Sequence, residues 1–278
     1  MGTRKIMIIT AVALLAVGGI TCGVTYAALG HDLRGVSSAD CVTNTHFVED
    51  SFDNIEINVD TADIIFEKAE DGKCRVECYE YDDEIHDVIV DSNKLKINVK
   101  SKKKIRFGFY TEDPKVTLYL TEDAFKNINI ETDTGDTKLG DISADDIKIE
   151  TDTGDIRLSN VTVTGDFSVQ SDTGDVDLKG LSSEKAVIDT DTGDVRLADV
   201  TVTGEFKIDT DTGDVAFDKC DAGSIHVESD TGDVKGTLLS DKVFTTTTDT
   251  GDVKVPNTST GGSCEIKTGT GDINISIP

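Results

Sequence analysis

Residues 150–156 read ETDTGDI, residues 170–176 read QSDTGDV, and residues 189–195 and 209–215 both read DTDTGDV. Close copies of this phrase occur eight times, each 19 or 20 residues after the last. Their glycines are Gly135, Gly154, Gly174, Gly193, Gly213, Gly232, Gly251 and Gly271. A fixed period of this length indicates stacked supersecondary units.

Apolar residues keep constant distances from each glycine. They recur seven and five residues before it and two, four and seven residues after it, as Ile188, Val195 and Leu197 do around Gly193. Polar residues alternate with them, which is the period of strands with one buried face. The last of these apolar files is expected to contain Ile142, Val161, Leu181, Val200, Cys220 and Leu239.

A unit of about 20 residues cannot bury one face alone, whereas stacked units align each apolar position into a continuous file. Glycine supplies the positive φ that a tight turn between two such strands needs. The sequence therefore predicts an all-β domain, a parallel β-solenoid (β-helix) of about 20-residue coils, with successive coils about 4.8 Å apart.

The amino terminus predicts one transmembrane helix. Residues 6–29 carry no charge and follow Arg4 and Lys5. Such a run is long enough to span a bilayer, and the preceding positive charges place the N-terminus in the cytoplasm. A cleaved signal peptide is the alternative, with Thr25-Tyr26-Ala27 as a weak processing site. We expect a single-pass cell-membrane protein, anchored by residues 1–31, with its C-terminal domain extracellular.

The rest of the chain divides into three regions. Residues 32–50 are polar and irregular and predict a tether. Residues 51–123 alternate weakly and predict an N-terminal β region that caps the solenoid, because repeat stacks need capped ends. Residues 124–278 contain the repeats and predict the solenoid itself.

Residues 60–64, DTADI, are a worn copy of the repeated phrase. Counted from Ala62, Ile55 and Ile57 fall at the two upstream apolar positions, and Ile64 and Phe66 fall at the downstream ones. We therefore expect the solenoid to begin here, to be interrupted by a hairpin-like insertion, and to resume at residue 124.

Composition excludes some partners. The formal net charge is -27, and the chain has no tryptophan and only three prolines. Nucleic acid and anionic lipid are disfavoured because binding phosphate depends on Lys and Arg. Cationic ligands or metal ions suit this charge better.

Two files of aspartates accompany the glycines, one directly after each glycine and one two residues before it. Stacking sets like charges about 5 Å apart, which requires compensation. Hydrogen bonds from turn N–H groups are one compensation, and bound Ca²⁺ is the other. The candidate Ca²⁺ ligands are Asp152, Asp155, Asp172, Asp175, Asp191, Asp194, Asp211 and Asp214. No other cofactor is expected.

Catalytic patterns are weak. Asp-Thr-Gly is also the triplet of aspartic proteases, but that mechanism needs two copies face to face, whereas these lie in equivalent turns along one edge. The histidines are scattered, and Cys74 and Cys78 lack a second pair for zinc. Cys220 and Cys264 occupy aliphatic positions and are expected to be buried. We expect no enzymatic activity.

The N-terminal helix, the degenerate Asp-Thr-Ala-Asp start and the serial Asp-Thr-Gly-Asp turns together resemble the putative-adhesin family of bacterial envelope proteins, the LiaG/YvlB-like domain. The resemblance covers essentially the whole chain after the tether. It implies a right-handed β-helix at a bacterial surface, and some relatives are tied to envelope stress and antimicrobial-peptide responses. It carries over no functional residues.

The expected function is that of a membrane-anchored, non-catalytic, adhesin-like binding or scaffolding module with an unidentified envelope or surface partner. The alternative is an envelope-stress component that binds cationic antimicrobial peptides or Ca²⁺ through its acidic files.

Overall fold

The computed structural model describes residues 41–81, 84–100 and 113–278. Within these ranges the chain forms 22 strands and no helix. The strands are β1 (Cys41–Phe47), β2 (Asn54–Thr61), β3 (Asp63–Lys68), β4 (Arg75–Tyr81), β5 (His86–Asp91), β6 (Lys94–Val99), β7 (Lys115–Leu120), β8 (Ala124–Thr134), β9 (Thr137–Thr153), β10 (Ile156–Val163), β11 (Asp166–Thr173), β12 (Val176–Lys179), β13 (Ser182–Ser183), β14 (Lys185–Thr192), β15 (Val195–Ala198), β16 (Thr201–Thr212), β17 (Val215–Thr231), β18 (Val234–Leu238), β19 (Lys242–Thr250), β20 (Val253–Lys254), β21 (Gly262–Thr270) and β22 (Ile273–Ser276).

The helix predicted over residues 6–29 lies outside the described residues. In the part of the chain that is described, no helix has the length and apolarity needed to cross a membrane.

Each coil has three sides. In the coil around Gly174, β11 leads into the glycine turn, β12 follows it, and the short β13 closes the third side. All three pair in parallel with the equivalent strands of a neighbouring coil, as in the register Val169↔Ile188 and Val176↔Val195. The predicted β-solenoid is therefore confirmed.

The predicted apolar files face inward. Most side chains of the files before and after the glycine are almost completely buried. Burying one Val, Leu, Ile or Phe side chain stabilises the folded state by about 1.5–3 kcal/mol. The file two residues after the glycine illustrates this, with Ile156, Val176, Val195, Val215, Val234 and Ile273 all at 0% exposure.

The glycine turn tolerates no side chain. Gly193 has φ +150°, and a Cβ there would overlap the carbonyl oxygen of Gly174 in the preceding coil. The same contact recurs from Gly135, against Ala62, to Gly271. Glycine is thus required by the close stacking of the coils as well as by its backbone angle.

A second corner, which was not predicted from the sequence, lies six residues after the glycine. Five residues there adopt left-handed φ values between 52° and 67°. They are Asp141, Asn160, Gly180, Asp199 and Lys219. Asp, Asn and Gly accept this conformation most easily, so their recurrence at this position was an available signal.

The N-terminal region extends the solenoid and then covers it. Strand β2 pairs with β8 across 73 residues, aligning Ile55 with Ile128 and confirming that the worn copy forms a coil. Strands β6 and β7 add to the other edges of β2 and β3 in parallel, and β5 and β4 then pair with them antiparallel. Strand β1 pairs with β4, so part of the predicted tether is a strand.

The last two repeats stack in reversed order. Strand β21 lies between β17 and β19, so Cys264 pairs with Ile225 on one side and Phe244 on the other. Strand β22 lies between β18 and β20 in the same way. These coils therefore do not stack in the order in which they occur along the chain. The inserted coil is apolar inside, whereas β19 carries the uncharged polar run Thr245–Thr248. The more polar coil therefore occupies the end.

Two residues of the predicted apolar files are exposed. Val253, two residues after Gly251 in the coil at the end of the stack, is 45% exposed, and Leu239 is 50% exposed with Leu238 buried in its place. The register between β17 and β18 shifts after Phe217, so that Cys220 pairs with Leu238. Gly236, at φ +138°, stands at this irregularity.

Candidate binding surfaces

The aspartates directly after each glycine, the turn-aspartate file, form a continuous hydrogen-bonded ladder. The backbone N–H of Asp175 donates to Asp155 Oδ1 at 2.9 Å, and that of Asp194 donates to Asp175 Oδ1 at 2.9 Å. The ladder begins at Asp63 and ends at Asp252, passing through the reversed coils. These carboxylates therefore satisfy turn amides that the strands leave unpaired.

Basic side chains bridge this ladder on its outer side. Arg196 donates to Asp175 Oδ2 at 2.6 Å and to Asp194 Oδ2 at 2.7 Å. Arg157 bridges Asp136 and Asp155 in the same way. The hydrogen bond from Arg196 lowers the pKa of Asp175, although partial burial opposes it. The groups are half exposed, so each bridge is worth at most about 1 kcal/mol.

The eight candidate Ca²⁺ ligands fall into two environments. Asp155, Asp175, Asp194 and Asp214 belong to the turn-aspartate file, where Oδ1 already accepts an amide hydrogen bond. The other four are Asp152, Asp172, Asp191 and Asp211, called here the outer-aspartate file, and they are exposed. Among the described residues no hydrogen bond or ion pair reaches this outer file. Ca²⁺ binding by either file stays a prediction.

A third acidic position lies four residues before the glycine. Asp189 is aligned with Asp209 of the next coil. Burial, and then the charge of Asp209, raise the pKa of Asp189, while Lys207 opposes them. Like charges in adjacent coils are thus only partly compensated on this side.

A groove of about 480 Å³ runs along the side that follows the glycine turn. Its lining includes Leu158, Leu178, Leu197 and Phe217 together with Arg157 and Arg196. The two arginines are held by the turn-aspartate file. The groove is therefore lined by both apolar residues and compensated charges.

The terminal coil, formed by β19 and β20, exposes its outer edge. In the described part of the chain, β19 has only β21 as a strand partner and β20 has only β22. Val243 is 42% exposed and Val253 is 45% exposed. A row of backbone groups on the outer edge is therefore available to a further strand.

Lys242 anchors the start of this coil. Its side chain is only 3% exposed, and Nζ lies 2.5 Å from Asp221 Oδ1 on β17. Nζ also donates to Ser240 Oγ. Burial raises the pKa of Asp221, but the hydrogen bonds from Lys242 and Ser240 outweigh this and lower it.

A buried cluster of cysteine, glutamate and histidine lies in the N-terminal region, where the sequence predicted no such grouping. Cys78, Glu80 and His86 offer ligand atoms that lie within 4.8 Å of one another. A thiol grouped with an imidazole and a carboxylate is typical of a cysteine nucleophile, but Cys78 is 0% exposed. Burial, and then Glu80, raise the pKa of the Cys78 thiol to about 12. The thiolate needed for attack is therefore suppressed.

The signal for this cluster was partial. Cys78 and Glu80 are two apart on a predicted strand and must share a face. His86 joins them because the chain after β4 returns the start of β5 to Glu80, which accepts the His86 N–H, and the local sequence does not specify this return.

Comparison with known proteins supports the fold. A crystal structure of a putative adhesin from Bacteroides fragilis NCTC 9343 is similar with a TM-score of 0.57 and 20% identity, over 86% of this chain and 98% of that chain. A putative lipid binding protein from Parabacteroides distasonis ATCC 8503 has a TM-score of 0.49 and 15% identity, over 84% and 96%. The likeness to the Bacteroides fragilis protein, at 20% identity, concerns the fold alone.

No curated protein matches the chain. The sequence model of the family described as Toastrack DUF4097 matches residues 52–206 and 201–278, which is most of the chain and almost all of its described strands. The recurring glycine turns that build the ladder lie within these two matches. The chain belongs to the Toastrack DUF4097 family.

Proposed function

We propose that this protein is a non-catalytic, adhesin-like binding or scaffolding module, anchored at the bacterial cell surface by residues 1–31. Its solenoid is right-handed, and it binds an extended segment of a partner protein at the outer edge of the terminal coil. The observation that carries this proposal is the outer edge of β19, with which none of the described strands pairs.

The edge has the properties of a strand acceptor. Proteins usually protect edge strands with charge, proline or a bulge. Residues 243–248, VFTTTT, contain no charge and no proline. An added strand would gain main-chain hydrogen bonds along this edge and contacts with Val243 and Val253.

A partner protein fits this edge better than a second copy. Two copies meeting end to end would each bring a formal net charge of -27. Repulsion between such chains opposes self-association, whereas a neutral or basic partner segment is attracted. Nucleic acid is disfavoured for the same reason.

The test uses cells of the source bacterium that display the full chain. The Thr245→Lys/Thr247→Lys variant places positive charges along the β19 edge. Both positions are exposed, so the buried side chains are unchanged. The proposal predicts that this variant loses adherence to protein-lacking cells of the same bacterium, while its surface level stays normal. Unchanged adherence would contradict strand addition. Loss of autoaggregation alone would identify a second copy as the occupant.

The outer-aspartate file favours a second candidate function, capture of cationic peptides in an envelope-stress response. Its four carboxylates recur once per coil and face solvent without a described partner. Regularly spaced, uncompensated charge attracts a polycation with little regard to shape. Attraction of this kind is screened beyond about 8 Å at physiological salt.

The second function is tested with a fluorescent polylysine peptide and its D-enantiomer. Capture by charge predicts equal binding of both enantiomers, steep loss at high salt, and weakening in Asp152→Asn/Asp172→Asn/Asp191→Asn/Asp211→Asn. The edge variant is the matched control and should bind normally. Binding that distinguishes the enantiomers or survives salt would argue against this mechanism. Parallel titration with Ca²⁺ shows whether the same carboxylates bind that ion.

A further inference from the structure

The N-terminal region holds a buried group of metal-ligating side chains apart from every surface described above. Cys78 and Glu80 point to one face of β4, and His86 begins β5. All three are buried, with exposures of 0%, 0% and 2%. Their ligand atoms lie within 4.8 Å of one another, close enough for a modest movement to bring them onto one ion.

The polar contacts of the group are unequal. Glu80 Oε2 accepts the backbone N–H of His86 at 2.7 Å and lies 2.6 Å from His86 Nδ1. Asn44 Nδ2 donates to Glu80 Oε1 at 2.6 Å. Burial raises the pKa of Glu80, but these hydrogen bonds outweigh it and lower the pKa, so the carboxylate is held charged.

His86 Nε2 is the anomaly. It is buried, and among the described residues it has no hydrogen-bond partner. A buried polar atom left unsatisfied costs about 1–3 kcal/mol. An imidazole with an unpartnered nitrogen, in one group with a thiol and a carboxylate, supplies side chains of the kinds that bind zinc.

We propose that Cys78, Glu80 and His86 form a binding site for Zn²⁺. Imidazole and thiolate are preferred zinc ligands, and a carboxylate is an accepted third. Ca²⁺ is excluded from this group because it takes oxygen ligands, of which the group offers only one carboxylate. The site therefore differs in chemistry and position from the aspartate files.

Charge balance supports the assignment. On binding, the Sγ–H bond of Cys78 breaks, its proton passes to solvent, and the sulfur electron pair forms the Zn–S bond. The thiolate and the carboxylate then neutralise Zn²⁺, so the buried complex has no net charge.

Asn44 and the antiparallel β1–β4 pair give the site a structural role. Asn44 lies opposite Cys78 in that pair and holds Glu80 in place, as outer hydrogen bonds do for metal ligands. A metal here would fasten β4 to the start of β5. The inferred role is a zinc staple for the antiparallel cap of the solenoid.

The experiment uses the full chain, purified with chelator and then given Zn²⁺ or Co²⁺. We expect about one equivalent of zinc retained after desalting, a thiolate-to-cobalt absorption band, and a higher melting temperature. Cys78→Ser should abolish the cobalt band and weaken zinc binding at least tenfold. His86→Gln should weaken it similarly, while keeping a cobalt band at saturating metal.

Cys264→Ser is the matched control. The Cys264 thiol is as buried as that of Cys78, but Cys264 does not belong to the proposed zinc site. The variant should behave like the wild type. Failure of the wild-type chain to retain zinc would overturn the proposal, even if the variants fold poorly. Equal retention by the wild type, Cys78→Ser and His86→Gln, with unchanged circular dichroism, would also overturn it.

Discussion

At the scale of single residues, the glycine of each turn meets two independent constraints. Gly193 has a positive φ, and a Cβ there would overlap the carbonyl oxygen of Gly174, which is backbone and cannot rotate away. We predict that Gly193→Ala lowers the free energy of unfolding by at least about 2 kcal/mol. Urea denaturation measures this loss.

Gly140→Ala is the control for that prediction. Gly140 lacks the positive φ, and its added Cβ would lie 2.9 Å from Ser159 Oγ, a side-chain atom that can rotate. Ala198 occupies the position equivalent to Gly140 three coils later, five residues after Gly193. The expected change is within about 0.5 kcal/mol. Equal losses in the two variants would show that coil stacking does not select glycine.

Individual aspartates should affect stability in opposite directions. The folded state raises the pKa of Asp189 through burial and Asp209, so the charged form is disfavoured and stability falls as pH rises through that pKa. We predict that Asp189→Asn raises the melting temperature at pH 7. The gain should disappear below the ordinary aspartate pKa of about 3.9, where both forms are neutral.

Replacing Asp175 should change the melting temperature in the opposite direction. The hydrogen bond from Arg196 lowers the pKa of Asp175 against the effect of burial. The stability that Asp175 contributes is therefore present above the pKa it has in the unfolded chain, and is lost as pH falls through its pKa in the folded state. Asp175→Asn should therefore lower the melting temperature at pH 7 and converge with the wild type in acid. Thermal melts from pH 2 to pH 7 measure both variants. Shifts of the same sign would contradict the assignment.

At the scale of strands and coils, the terminal coil depends on one buried ion pair. Lys242 is almost inaccessible, and Asp221 is its charged partner. We predict that Asp221→Ala costs up to about 3 kcal/mol, because it leaves a buried ammonium without a counter-charge. Urea denaturation is the measurement.

A double variant separates the cost of the isolated charge from the value of the pair. Replacing both partners by apolar groups is often nearly neutral. Asp221→Ala/Lys242→Met should therefore recover much of the stability that Asp221→Ala loses. A double variant less stable than the single one would mean that Lys242 acts through other contacts.

The strands were predictable wherever their pattern is local. Alternation around each glycine identifies the inward residues, and Ile55 and Ile57 align with Ile128 and Ile130 as that pattern requires. Leu239 was misplaced because a one-residue shift at Gly236 leaves the alternation intact. The Cys78, Glu80 and His86 cluster depends on how β4 and β5 pair antiparallel with β7 and β6, which the repeated phrase does not predict.

At the scale of the whole solenoid, the order of the coils is not contained in the repeated phrase. Every coil offers the same glycine turn and the same aspartate acceptor, so any coil can stack on any other. Asp272 reaches Asp233 across 39 residues with the same 2.9 Å hydrogen bond that joins consecutive coils. The choice is decided by the inner residues, since Ile266 continues the apolar file that Thr246 would interrupt.

Cross-linking tests this order directly. Glu228 lies beside Lys267 in the register of β17 and β21, and Lys267 lies beside Thr247 of β19. All three side chains are exposed, so cysteines there are accessible to an oxidant. Adjacent strands are about 4.8 Å apart, within disulfide range, whereas strands two apart are separated by nearly twice that distance.

We therefore predict that Glu228→Cys/Lys267→Cys and Lys267→Cys/Thr247→Cys form disulfides under mild oxidation, and that Glu228→Cys/Thr247→Cys does not. Peptide mass mapping distinguishes these bridges from bonds to the native cysteines. If coils stacked in chain order, Glu228 and Thr247 would be neighbours and that pair would cross-link instead. Glu228→Cys/Lys267→Cys would then fail, because its two strands would be separated by the coil that carries β19.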